Sequence, residues 1–254
     1  MPRTTSPFDQ HDFEVRLGWG GDGLKVLQPD VSVIVVVDVL SFSTCVDVAT
    51  GRGASVLPFR SRDEGVAEFA KQHNAVVAGE RGSSGTWSLS PASLMGIPPG
   101  TRLVLPSPNG STLVAEAAEV GCLVVVGCLR NASRVAREIS TLEPPVAVIA
   151  AGERWTGPER RMRPAVEDQI GAGAIIAAAG LGSRSPEADA AVAVFEAARH
   201  RFLDVIRSSE SGRELSQAGF EEDVVIAADH DSSASYPLLE DGSLTSRAST
   251  QGVG

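Results

Sequence analysis

The run VSVIVVVDV at residues 31–39 constrains the fold more than any other stretch of the chain. Successive β-branched residues favour extended backbone. The absence of polar alternation means that both faces of the strand must be covered. Strands of this kind belong to parallel sheets with helices on either side. The pattern recurs in TRLVLPSPNGST, CLVVVGCLRNAS and PVAVIAAGERW, where each apolar run passes into a polar turn. Helical stretches alternate with these runs, among them STCVDVATGRGA, SRDEGVAEFAKQH (with Ser61 as N-cap and Glu64 three residues on) and PAVEDQIGAGAIIAAAG. The alternation predicts an α/β fold with a largely parallel sheet between helical layers. The spacing predicts one continuous helix over SPEADAAVAVFEAARHRFLDVIRSS, begun by Ser185-Pro186, then a short helix and a brief strand or turn within 211–233. Residues 1–245 are read as a single α/β unit, or as two sub-lobes dividing near 140–180, with a disordered tail at 246–254.

With 254 residues, 43% hydrophobic, the chain can bury a substantial core. A formal charge of −10 argues against nucleic acid as a partner, because neutralising phosphate backbones requires a basic face. The three cysteines, Cys45, Cys122 and Cys128, lack metal-type spacing, which predicts a reducing, cytoplasmic setting. The longest apolar runs are too short to span a bilayer, and no membrane association is expected. The Ala-rich helices at 172–179 and 187–198 suit either a core or a second subunit, so a homodimer is one expectation.

In open α/β sheets ligands bind beyond the carboxyl ends of the strands. Those ends collect Asp38, Ser41, Ser43 and Thr44; Glu80 and Arg81; Ser107, Asn109, Gly110 and Ser111; Arg130 and Asn131; and Gly152, Glu153 and Arg154. The turn around Gly110 suits phosphate or carboxylate, since glycine permits close backbone approach and Ser111 or Thr112 can cap the following helix. Asn131 stands where it can cap a helix or reach a ligand. Asp38, Glu80, Glu153, Glu167 and Asp168 are candidates for a hard-cation site, because Mg²⁺ takes one or two carboxylates with water and substrate oxygens. A carboxylate directly after a buried strand also needs a partner, and Arg81 or an arginine of 154–163 is in range to supply one. Cys128 and Arg134 form a C-x5-R spacing that cysteine phosphatases use, although no glycine lies between them. In DHDSS, residues 229–233, a metal site competes with a solvated turn.

Taken in order, VVVDVLSFST, GERG, LSPASL, PSPNGST, GCLRNAS, AAGERW and VEDQIGAGAI resemble the 2-phosphosulfolactate phosphatase family, the ComB-like proteins of coenzyme M biosynthesis. The resemblance is strongest over about residues 30–180. It implies a three-layer α/β/α fold and Mg²⁺-dependent hydrolysis of the phosphate ester of 2-phosphosulfolactate, a small anionic substrate. Carried across, the family's acidic strand end matches Asp38 and its Glu-Arg pair matches Glu80 and Arg81. Its Asn-Gly-Thr turn matches Asn109, Gly110 and Ser111, and its Glu-Asp helix start matches Glu167 and Asp168. Ser41-Phe42 stand where the family has Arg-Ala, which removes one anion clamp and leaves Arg130 or Arg154 as substitutes.

These readings combine in a phosphatase. Asp38, Glu80, Arg81 and Glu153 are the catalytic candidates. Ser41, Ser43, Ser107, Asn109, Gly110, Ser111, Asn131 and Arg154 are the substrate-binding candidates, and Asp38, Glu167 and Asp168 the Mg²⁺ ligands. The alternatives are a metal-independent cysteine phosphatase built on Cys128 and Arg134, and a non-catalytic anion-binding protein.

Overall fold

The computed structural model describes residues 6–60, 65–83, 86–155, 159 and 161–247. Its centre is a nine-stranded sheet in the order β1-β7-β2-β6-β10-β11-β3-β5-β4. These strands are β1 (Val15–Trp19), β2 (Val33–Val37), β3 (Ser55–Phe59), β4 (Val76–Val77), β5 (Arg102–Pro106), β6 (Leu123–Gly127), β7 (Val146–Ala150), β10 (Pro237–Glu240) and β11 (Ser243–Ser246). A separate two-stranded ribbon is formed by β8 (Glu153–Arg154) and β9 (Met162–Arg163).

The valine run does what its composition demands. All five residues of β2 are buried, and their period of two sends them to opposite faces. Val33, Val35 and Val37 enter one core; Ile34 and Val36 enter the other. Strand β7 repeats the division, with Val146 and Val148 on the first side and Ala147 and Ile149 on the second. The first core is closed by α6 (Ala132–Ile139), α7 (Val166–Ala179), α8 (Pro186–Ala198), α9 (Phe202–Ser208) and α11 (Glu221–Ala227). The second is closed by α1 (Gly20–Leu27), α2 (Phe42–Gly51) and α5 (Gly110–Ala118). Helix α3 (Gly65–Gln72) covers the far edge over Leu57 and Val104. The result is three layers, α/β/α.

Strands β1, β7, β2 and β6 are mutually parallel, as are β3, β5 and β4. The C-terminal hairpin β10–β11 lies between the two groups and pairs antiparallel on both sides. The two parallel groups therefore run in opposite senses, and a helix must bridge them at the site. Helix α5, which follows β5, does this by packing against β2, β3 and β6.

Several sequence expectations change. The helix predicted through 185–209 begins at the Ser185 cap, whose side chain accepts from the Ala188 N–H, but it breaks at His200. That residue has φ of +71°, a left-handed conformation that ends a helix. Phe195 stacks on Phe202 at the break, and His230 meets both rings at a tilt. Within 211–233 the chain forms two helices, α10 (Glu210–Gln217) and α11, rather than one helix followed by a brief strand or turn. Strand β1 and the hairpin β10–β11 were not expected, and Ser246, assigned to the tail, closes β11. Ser61 and Glu64 lie outside the described residues, as does the tail from 248.

Asn131 does not cap α6 with its side chain. Asp231, nearly a hundred positions on, accepts from Ser133 N–H at 2.7 Å and from Ser133 Oγ–H at 2.6 Å. Asp231→Ala should therefore cost about 1 kcal/mol, the usual worth of an N-cap, read as a shifted denaturant midpoint with an unchanged slope.

Candidate active site

Asp38 follows β2 directly and is only 4% exposed. Its Oδ1 accepts from the Phe42 N–H at 3.2 Å and its Oδ2 from the Gly110 N–H at 2.8 Å. Phe42 and Gly110 are the first residues of α2 and α5, so one carboxylate joins the positive ends of two helices. The join needs glycine at 110: a Cβ there would lie 2.3 Å from Phe42 Cδ1 and 2.7 Å from Asp38 Oδ2. Ser43 Oγ accepts from the Asp38 N–H, and Thr44 Oγ1–H donates to the Val39 carbonyl, so both fasten the strand end.

A third helix start lies beneath. In the first turn of α7, Asp168 accepts from the Val39 N–H at 2.7 Å and from the Gly152 N–H at 2.8 Å, tying the ends of β2 and β7. Its neighbour Glu167, in the same first turn, is 2% exposed. Acids thus crowd Asp38. Burial, with the charges of Glu153 and Glu167 behind it, pushes its pKa from 3.8 up to about 7 against the lowering effect of the two N–H donors. That rise is on the order of 4 kcal/mol. Burial, and behind it the charges of Asp38 and Glu167, also raise Asp168.

Asp38 opens onto a cavity of about 250 Å³. One wall carries Ser41, Arg81, Ser107, Asn109 and Glu153; the other comes from α10 and the turn after it, with Ser211, Glu214, Leu215 and Phe220. Glu153 Oε1 accepts from Asn109 Nδ2 at 2.9 Å and from the Arg154 N–H at 2.7 Å. Arg154 Nε in turn donates to Asn109 Oδ1. Arg81 donates to Ser41 Oγ at 3.1 Å and to Asp223 Oδ2 at 2.7 Å.

The strand-end residues therefore divide. Asp38, Ser41, Arg81, Ser107, Asn109 and Glu153 share the cavity, with Gly110 and Arg154 adjoining it. Ser111 is buried and donates to the Leu105 carbonyl, and Asn131 accepts from the Cys128 N–H, so both bond within their own turns. Glu80 is exposed and does not line the cavity. Arg81 pairs with Asp223 rather than Asp38. Arg130, considered as an anion clamp, bonds the buried Asp47 at 2.9 Å beside a different hollow of about 370 Å³. In that hollow Asp47 is met by Arg130 and by Ser233 Oγ–H, so its charge is already matched. Sequence reasoning missed Asp223, Phe220 and the α10 wall, which belong to no strand end.

The cysteine route fails on geometry. Cys128 is fully buried in the apolar core, and burial pushes its thiol up, the opposite of what a nucleophile needs. Arg134 faces Glu138 and the carbonyls of Ala234 and Arg247.

Residues 25–242 match the family described as 2-phosphosulpholactate phosphatase, most of the chain. The chain belongs to that family. Its members are phosphatases, which places this chain among enzymes that hydrolyse phosphate monoesters. A relative from Symbiobacterium thermophilum, described as a probable 2-phosphosulfolactate phosphatase, is 26% identical over 226 residues. The alignment covers 83% of this chain and 92% of the relative. No helix among the described residues is long and apolar enough to cross a membrane.

Among the described residues no group of three or more His, Cys, Asp or Glu side chains is placed to hold a metal ion. Mg²⁺ does not require one, since one or two carboxylates suffice alongside water and substrate. Asp38 is an oxygen donor of the kind a hard cation takes, since burial and then the charges of Glu153 and Glu167 weigh against its ionised form and a cation would offset both.

A carboxyl whose folded pKa lies above its unfolded one binds protons more tightly when folded, so stability falls as pH rises between the two values. With divalent cations chelated, the protein should lose stability from about pH 4 to about pH 7 on account of Asp38. Asp168 and Asp47, also raised by burial, act in the same sense. Melting curves across that range should show Asp38→Asn losing less than the wild type; identical slopes would remove Asp38 as the cause.

Proposed function

We propose that this chain is a Mg²⁺-dependent phosphatase that converts 2-phosphosulfolactate to sulfolactate and phosphate. The observation that carries the reading is the buried Asp38, bonded to the first amides of α2 and α5 at the floor of the cavity that holds Arg81 and Glu153. Family membership supplies the reaction class.

Asp38 and Glu167 are the residues to hold the cation, with Asp168 bracing the strand ends behind them. Bound there, Mg²⁺ would neutralise the acids and polarise the phosphoryl group. Arg81, Ser41 and Ser107 present donors to phosphoryl oxygens along the cavity wall. Such donors need no reorganisation as charge develops.

Glu153 is the candidate base. Its Oε1 is occupied by Asn109 and the Arg154 amide, which orients Oε2 for a water. The proton of the attacking water passes to that oxygen as the new phosphorus–oxygen bond forms and the ester phosphorus–oxygen bond breaks, and the sulfolactate oxygen leaves and takes up a proton in turn. Asn109 and Arg154 act on Glu153 and on each other, so the base is aligned before substrate arrives.

The decisive assay measures phosphate release from 2-phosphosulfolactate, with phospholactate for comparison, with Mg²⁺ and with EDTA. Release should require Mg²⁺ and return when it is restored. Glu153→Gln should lower kcat by roughly 10²–10⁴-fold, the usual worth of a general base. Undiminished turnover in EDTA would end the metal assignment. Stabilisation by the esters without turnover would leave an anion-binding protein instead.

A further inference from the structure

We propose that Asp223, on α11, is a positioning residue that aims the guanidinium of Arg81 into the cavity, with Phe220 beneath it. The inference rests on the reading that Arg81 meets the phosphoryl group.

Arg81 reaches the site from a turn, and a long side chain on a turn loses about 2 kcal/mol of rotamer entropy when it is held in one place. Something must hold it. Asp223 is 1% exposed, and its Oδ2 accepts from Arg81 at 2.7 Å. Its other oxygen accepts from Ser90 Oγ–H at 2.6 Å and from the Ala92 N–H at 3.1 Å. Both carboxylate oxygens are therefore fixed by the segment that carries Arg81 onward into α4 (Pro91–Leu94). On the Arg81 side, the guanidinium also donates to the Leu89 carbonyl and Ser41 Oγ, and lies 5.1 Å from the centre of the Phe220 ring.

The consequence is directional. Asp223 matches the charge of Arg81, so the pair brings no net charge to the cavity; it brings donors at a set angle. Arg81 remains partly exposed and lines the cavity, with Ser41 at one end and Phe220 at the other. A phosphoryl oxygen arriving there finds an ordered planar donor, in keeping with electrostatic preorganisation. The residues are 142 positions apart, so the C-terminal helices complete a site whose other parts come from strand ends.

The test uses full-length, Mg²⁺-loaded protein and inorganic phosphate as the ligand, read by calorimetry, with 2-phosphosulfolactate turnover alongside. Arg81→Ala should weaken phosphate binding by about 10–100-fold, as expected for a lost charge-assisted hydrogen bond. Asp223→Asn should weaken it about tenfold with a matching rise in KM, and should add nothing in the Arg81→Ala background. A folded Asp223→Asn that binds phosphate as the wild type does, or an effect additive with Arg81→Ala, overturns the proposal while leaving the site reading intact. Wild-type binding in Arg81→Ala overturns the site reading itself. Removing one partner of a buried pair can prevent folding. Phe220→Leu therefore serves as the second variant, since it keeps the ion pair and removes only the ring. It should weaken phosphate binding about twofold or more in the wild-type background and not in Arg81→Ala; equal effects in both would refute the positioning role.

Discussion

The carboxylate of Asp38 accepts one hydrogen bond from the first amide of α2 and one from the first amide of α5, and the architecture of the site follows from that pair. The two parallel groups of the sheet run in opposite senses, so nothing in strand order alone brings the end of β5 to the end of β2. Helix α5 crosses back to β2, and the bond to Asp38 fixes its start. Glycine at 110 is a condition of that approach, because any Cβ would overlap Phe42.

Gathering acids at one place has an electrostatic cost. Asp38, Glu153, Glu167 and Asp168 approach one another because strand ends and a helix start converge there, and burial raises the pKa of two of them. Amide donors and helix dipoles oppose that rise without cancelling it. The arrangement is one that a hard cation would relieve. Arg81 is handled differently: its charge is matched at Asp223 and its orientation is secured by Ser41, Leu89 and Phe220.

Residue type alone did not separate the groups that face the cavity from those that build it. Ser41 and Ser43 are two positions apart in one turn, yet Ser41 lines the cavity and Ser43 fastens the strand end. Ser111 and Asn131 look like ligand groups in sequence and serve their own turns instead. The reason is the local path of the backbone: at each strand-to-helix turn some polar side chains fold back onto free amides and carbonyls, and only the remainder point outward.

The sequence by itself determined the buried parallel strands, their double-sided burial and the strand ends where polar groups gather, because β-branched runs without polar alternation have only one economical solution. It also carried the family likeness across most of the chain. Tertiary structure alone decided that β10–β11 enters the middle of the sheet, that Asp231 caps a helix begun at Ala132, and that Asp223 meets Arg81. Such contacts join segments about a hundred or more residues apart. They depend on how packed layers align, and local periodicity holds no record of that.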